Sequence, residues 1–366
     1  AGTRSQVAIK CERGSGRMTD VTLSERQRTV ATLTRRFRSL LHRPELTAVV
    51  GTVAVFVFFS VSVGRAGFLS LAMTRNYLEV AAAIGIIAGP ITLLLVAGEF
   101  DLTVGGMIAA SEIIISYTVV FLGWPLWAGL FLALLISGTI GAINGLLVVR
   151  TGLPSFIITL AMLFVLRGST QAITRALTDS STIARVKGAL SGAPMVALFD
   201  SSVFGLSVSL VWWIGITLLA AWLLDRTRFG NWIYATGGNL DSAKKTGVPT
   251  DRVKVLLYIG TAMSATIVGA LAIFAINQGN AFSATGREFE VVAAAVIGGA
   301  LLSGGYGSPI GTAFGALLFG MVDQGFFFTN IPDQWYRVFL GIMLLIAVMI
   351  NKKTRELAMK QKRVGK

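Results

Sequence analysis

The sequence predicts an all-α integral membrane protein with about ten transmembrane helices, a broken or re-entrant glycine-rich segment and both termini in the cytoplasm. Three observations predict it. Of the 366 residues, 54% are hydrophobic and only 14% are charged, against roughly 25% charged in a soluble domain, so the chain lacks the polar surface to cover itself in water. Its apolar runs approach the ~20 residues that cross ~30 Å of hydrocarbon. The basic residues, finally, gather on alternate connections: with ten spans, 24 of the 32 Lys and Arg fall on one face, which the positive-inside rule places in the cytoplasm.

Taken in order, the expected spans lie near 46–63, 77–97, 103–122, 125–148, 156–174, 206–224, 255–275, 309–328 and 337–350, with a shorter, glycine-ended one at 289–302. Runs such as Ile113-Ile114-Ile115 do not alternate, which excludes a transmembrane barrel. Residues 1–44 are expected to form a basic tail, disordered in part. Residues 45–350 form the transmembrane domain, with a cytoplasmic loop at 225–254, and residues 351–366 form a second basic tail. The tails suit topogenic charge and attraction to anionic membrane lipid. Residues 1–44 hold one aromatic, Phe37, and no recognition motif, so nucleic acid is not an expected partner. The first 40 residues are too polar for a secretory signal.

Motifs for chemistry on a substrate do not appear. One cysteine and one histidine exclude an internal disulfide and a His-rich metal site. There is no phosphate-binding loop, no His-Glu-x-x-His and no Gly-x-Ser-x-Gly. Leu302-Ser303-Gly304-Gly305-Tyr306 imitates a nucleotide-binding signature but reads as a glycine-rich turn at the end of a helix. Movement of a solute is therefore the better expectation than its conversion.

Acidic residues within the apolar regions are few: Glu79, Glu99, Asp101, Glu112 and Asp323. A charge at the centre of a span costs about 2.5–3.5 kcal/mol on insertion scales, so each requires a cavity or a partner. Glu112 is expected to pair with Arg167, and Asp101 to cap the helix that follows it. Ion coupling through these carboxylates is the alternative. Gly85/Gly89, Gly141/Gly145 and Gly311/Gly315 have the four-residue spacing of close helix packing. Six glycines with Pro309 between 298 and 311 suit a broken segment, tolerated only beside protein or a water-filled path.

The loop at 225–254 carries the most specific signal. Asp241 to Thr246 reads as one short helix, with Asn239 as its cap and Gly247 as its stop. An exposed helix that adds nothing to the bundle reads as a docking element for a cytoplasmic partner.

Here the sequence resembles a known family. Phe229-Gly230-x-x-Ile233-Tyr234-Ala235-x-Gly237-Gly238-Asn239-x-x-x-Ala243-x-x-x-Gly247-Val248 resembles the cytoplasmic coupling loop of bacterial ribose/xylose/arabinose-type ABC importer permeases. Asp101-Leu102-Thr103-Val104-Gly105 is similar to that family's Asp-Leu-Ser-Val-Gly, and Gly141-Ala142-Ile143-Asn144-Gly145 to its Gly-x-x-Asn-Gly. Ala293 to Gly299, running into Gly304-Gly305-x-Gly307, resembles its glycine-rich region. The resemblance covers about 98–311 in order. It implies an inner-membrane permease subunit that moves a monosaccharide or related small polar solute, paired with a second permease copy or homologue. A cytoplasmic ABC ATPase would carry ATP and Mg, this chain holding no cofactor, and a periplasmic sugar-binding protein would deliver the solute. Gly238, Asn239, Asp241, Ala243, Lys244 and Gly247 would couple to the ATPase. Asp101, Asn144, Asn277, Gln278, Asp323 and Gln324 are candidates for the substrate path, although amides inside membrane helices also bridge neighbouring helices. The sequence departs from the family's pattern in its long basic N-terminal tail and in Glu99, where small or apolar residues are more usual. The alternative to this reading is an ion-coupled secondary transporter.

Overall fold

The computed structural model describes residues 44–64, 67–190, 194–203 and 205–326, and scattered positions of 328–349. Both basic tails, and most of the span expected at 337–350, lie outside the described residues. Twelve α-helices are described in chain order up to residue 326. They are α1 (Pro44–Val63), α2 (Leu71–Val96), α3 (Val104–Val120), α4 (Leu126–Thr151), α5 (Ser155–Thr178), the four-residue α6 (Val186–Ala189), α7 (Ser209–Arg226), α8 (Arg228–Gly238), α9 (Leu240–Lys245), α10 (Thr250–Ile276), α11 (Arg287–Ile297) and α12 (Pro309–Phe326). Five of them, α2, α4, α5, α7 and α10, are long and apolar enough to cross a membrane unaided, and the apolar helices Ala48–Val63 and Val104–Val120 are shorter.

Two of these helices mark the extremes of the bundle. In the most apolar window of α2, 78% of residues are buried, against 17% in α5, so α2 is the central helix and α5 faces outward. Around α2 pack α12, α7, α10 and α11. Glycine makes the tightest seams. A Cβ on Gly141 would sit 2.5 Å from the carbonyl oxygen of Tyr258, and one on Gly145 2.7 Å from Cα of Val255, so α4 and α10 touch backbone to backbone. Gly85 takes the indole of Trp213 on α7 in the same way, and Gly315 takes the carbonyl oxygen of Ala294 on α11. Of the four-residue glycine pairs, Gly141/Gly145 is thus a tight helix seam at both members, whereas Gly89 meets α7 only at an ordinary 3.8 Å.

Helix α11 has 11 residues, about 16 Å at 1.5 Å per residue, so it stops well short of a crossing. The chain then turns through Gly299, Gly304 and Gly305, all at positive φ, a backbone region that glycine enters without penalty, and re-enters the bundle as α12. The broken segment expected from the glycines is present.

Two expectations need correction. The chain is not purely helical, because two small antiparallel ribbons occur: β1 (Thr182–Ala184) with β4 (Gln278–Asn280), and β2 (Ser202–Val203) with β3 (Leu206–Ser207). Strands of two or three residues leave no periodic signal to read. The connection expected at 225–254 is also not a loop over its first half, since residues 228–238 form α8. Glycines 230, 237 and 238 suggest a turn there, but the first two serve close contacts within the helix packing instead. A Cβ on Gly230 would lie 2.0 Å from the carbonyl oxygen of Leu224, so Gly230 permits the elbow between α7 and α8.

Candidate functional site

The short helix that the sequence marks most strongly forms close to its expected bounds. The side chain of Asn239 accepts a hydrogen bond from the backbone N–H of Ser242 at 2.9 Å, capping α9. Gly247 ends the segment at φ +84. The helix begins one residue before the expected Asp241. It buries only Ala243, while Gly238, Asn239, Asp241, Lys244 and Gly247 are exposed. Ala243 is therefore its anchor, and the other five positions form an exposed surface. Lys244 reaches Asp251 of α10 at 3.2 Å, with both side chains about half exposed, an ion pair of small energetic weight.

Directly behind this helix three chain segments meet on glycine. The backbone N–H of Gly305, in the turn between α11 and α12, donates to the carbonyl oxygen of Val96 at the end of α2, at 2.8 Å. Helix α8 lies against this hydrogen bond through Gly237, where a Cβ would stand 1.8 Å from the Val96 oxygen and 2.8 Å from the Gly305 nitrogen. A Cβ on Gly304 would meet the Gly237 oxygen at 2.8 Å and Gly98 Cα at 2.9 Å. Four glycines from three segments distant in sequence thus form one joint. Beside it, Glu99 pairs with Lys254 of α10, both side chains about nine-tenths buried. This partner accounts for Glu99, whose charge the sequence leaves unexplained.

From the joint the chain leads inward to Asp101. Its Oδ1 accepts from the backbone N–H of Thr103 at 2.9 Å and from the Thr103 hydroxyl, and its Oδ2 accepts from the Thr261 hydroxyl at 2.6 Å. Asn144 donates from Nδ2 to Thr103 Oγ1 at 3.2 Å, while its Oδ1 is buried with no hydrogen-bond partner among the described residues. Asp101, Thr103, Asn144 and Thr261 are fully buried. The sequence-predicted Asp101 and Asn144 therefore do come together, tying the α2–α3 break to α4 and α10. Asp101 does not cap α3 as expected: the cap position is Thr103, and Asp101 accepts from that residue's backbone N–H two places on while bridging to α10, which residue spacing cannot reveal.

These contacts give a prediction. Asp101→Asn keeps an acceptor for Thr103, and its amide N–H can donate to Thr261 Oγ1, whose single hydrogen then turns from Asp101 to the Tyr258 carbonyl at 2.9 Å. Thermal unfolding in detergent should shift by no more than about 1 kcal/mol equivalent, the scale of a single hydrogen bond, whereas Asp101→Leu should lose several times more. Equal losses in the two variants would show that the charge itself holds the network.

The remaining path candidates lie elsewhere. Asn277, at φ +54, accepts from the backbone N–H of Lys187 at 2.8 Å through its side chain, and Gln278 pairs with Ala184 in the ribbon. Both belong to the end of α10 opposite α9. Asp323 accepts from Gln324 at 3.0 Å on α12, within electrostatic reach of Arg287 and Glu290. The six residues thus occupy three places and do not form one site.

One pairing expectation fails. Glu112 does not reach Arg167. It accepts from the backbone N–H of Asn280 at 3.1 Å and from the Ser283 hydroxyl at 2.6 Å. Arg167 pairs instead with Glu288 at 3.0 Å and donates to Ala284 O and Thr285 Oγ1. Gly105 makes room for that pair, since a Cβ there would stand 2.0 Å from Glu288 Oε2. Glu288 escapes a sequence reading because it opens a short helix, where the helix dipole alone is reason enough for a carboxylate.

A multi-span helical bundle with an exposed, capped helix on its solvent connection defines a polytopic membrane transport component. Residues 73–348 match the family described as "Branched-chain amino acid transport system / permease component". The chain belongs to this family and is a multi-pass inner-membrane permease of the ABC transporter class. Among its relatives in Escherichia coli (strain K12), the "Probable ABC transporter permease protein YphD" is 31% identical, covering 88% of this chain and 93% of the relative. The "Ribose import permease protein RbsC" is 27% identical over 86% and 94% of the two chains. The "Xylose transport system permease protein XylH" is 28% identical over 84% and 91%. No solved structure matches.

Proposed function

We propose that this chain is the membrane subunit of an ATP-driven importer of a monosaccharide or related small polar solute. The observation that carries the reading is α9: a helix capped at both ends, anchored by Ala243 and otherwise exposed, set against the glycine joint. In this reading a separate cytoplasmic ABC ATPase, holding ATP and Mg, docks on Gly238, Asn239, Asp241, Lys244 and Gly247. Its motion passes through the joint to the break that holds Asp101. Relatives named for ribose and xylose import support a sugar cargo, although the family description names branched-chain amino acids. A sugar-binding protein delivers the solute at the face of the β1–β4 ribbon, and a second permease copy or homologue completes the assembly. About ten spans with cytoplasmic termini put α9 on the same side as both basic tails, within reach of the ATPase.

Gentle detergent extraction followed by identification of co-purifying chains tests this reading. A stoichiometric ATPase subunit is expected. A chain that purifies alone and transports in liposomes without ATP would replace the reading with an ion-coupled carrier.

A further inference from the structure

A cavity of about 170 Å³ lies between α2, α3, α10 and α11, toward the β1–β4 ribbon. Its walls are apolar, with Ile87, Ile108 and Val268 among them, and its polar groups are Glu112, Ser283 and Arg287. Its size is comparable to an apolar cavity of about 150 Å³ that holds a six-membered ring. Apolar walls with a few fixed polar groups are the usual make-up of a small-molecule site.

We infer that this cavity is a solute station, shaped for a neutral polyhydroxy ring of monosaccharide size and not for a zwitterionic amino acid; the inference rests on the import reading above. The argument is one of donors and acceptors. The carboxylate of Glu112 is fully buried and uses one hydrogen bond per oxygen, to Asn280 N and Ser283 Oγ. A carboxylate has about four acceptor sites, so acceptor capacity remains for hydroxyl donors. Ser283 spends its hydrogen on Glu112, which leaves its oxygen to accept. Arg287 is held by Glu290 at 2.7 Å, so its charge is already balanced. The space therefore offers no unpaired cation to receive a solute carboxylate. A sugar donates hydroxyls to Glu112, accepts from the guanidinium and lays its C–H face on the aliphatic walls. It needs no counter-charge.

The test uses the complete transporter in proteoliposomes, carrying Cys11→Ser so that the chain's single natural thiol is absent, together with Ala272→Cys on the cavity wall. Alkylation of the introduced thiol by a small charged reagent is followed with D-ribose, D-xylose or L-leucine present at millimolar concentration. One of the pentoses should slow alkylation at least about 5-fold, and L-leucine should not. Adding Glu112→Gln should abolish the protection and raise the KM of uptake about 10-fold. If pentose uptake proceeds while no solute protects the introduced thiol, the cavity is off the route and the importer reading stands. If L-leucine protects and is imported while pentoses are not, both the cavity assignment and the sugar cargo fall.

Discussion

Gly237→Val should abolish solute uptake, by at least about 100-fold in initial rate, whereas Gly238→Ala should leave the fold intact. The two residues are neighbours, so the contrast isolates position from composition. A side chain at 237 has nowhere to go: Val96 O and Gly305 N, themselves hydrogen-bonded, lie within 2.8 Å of the added Cβ. Accommodation would part the end of α2 from the turn after α11 and displace α8 from both. At Gly238 an added Cβ meets nothing within 4 Å, so any defect of a larger side chain there reports on a docking partner. Surface expression and detergent melting of each variant separate the two outcomes. A Gly237→Val protein that melts and transports normally would show that the three segments do not need their close approach.

The second large effect concerns Arg167. With side chains only 13% and 5% exposed, Arg167 and Glu288 form a buried pair, and removing one partner strands the other charge at a cost of about 3–5 kcal/mol. Arg167→Ala should therefore lower the melting temperature sharply. The double change Arg167→Met with Glu288→Leu should recover most of the loss, because replacing both partners of a buried pair by hydrophobic groups of similar volume is often close to neutral. If the double variant is no better than Arg167→Ala, the loss comes from packing or from the hydrogen bonds to Ala284 and Thr285.

What could be read in advance follows the range of the interactions. The Asn239–Gly247 segment is legible almost to the residue because caps and stops act within one turn. The long spans are legible because hydropathy integrates over a whole crossing. Partner choice among charges is not: Glu112, Glu288 and Glu99 find partners far along the chain, at contacts that depend on how helices stack. Helix α8 is hidden for a related reason, since glycine's local preference for turns gives way to the space its neighbours require. Cargo specificity is illegible for a further reason. The cavity gathers its polar groups from Glu112, Ser283 and Arg287, three positions that lie outside the motifs on α3 and α11.

The joint of Gly98, Gly237, Gly304 and Gly305 has a mechanical consequence. Side chains yield to a push by changing rotamer, and a small displacement can vanish into such hops. Here the touching surfaces are main chain, whose bond lengths and peptide planes do not yield. A shift of α8 must therefore reappear undiminished at the foot of α2 and at the turn before α12. The glycines leave no soft side chain between the three segments, so under the import reading proposed above a small movement imposed on α8 would reach the end of α2 with little loss.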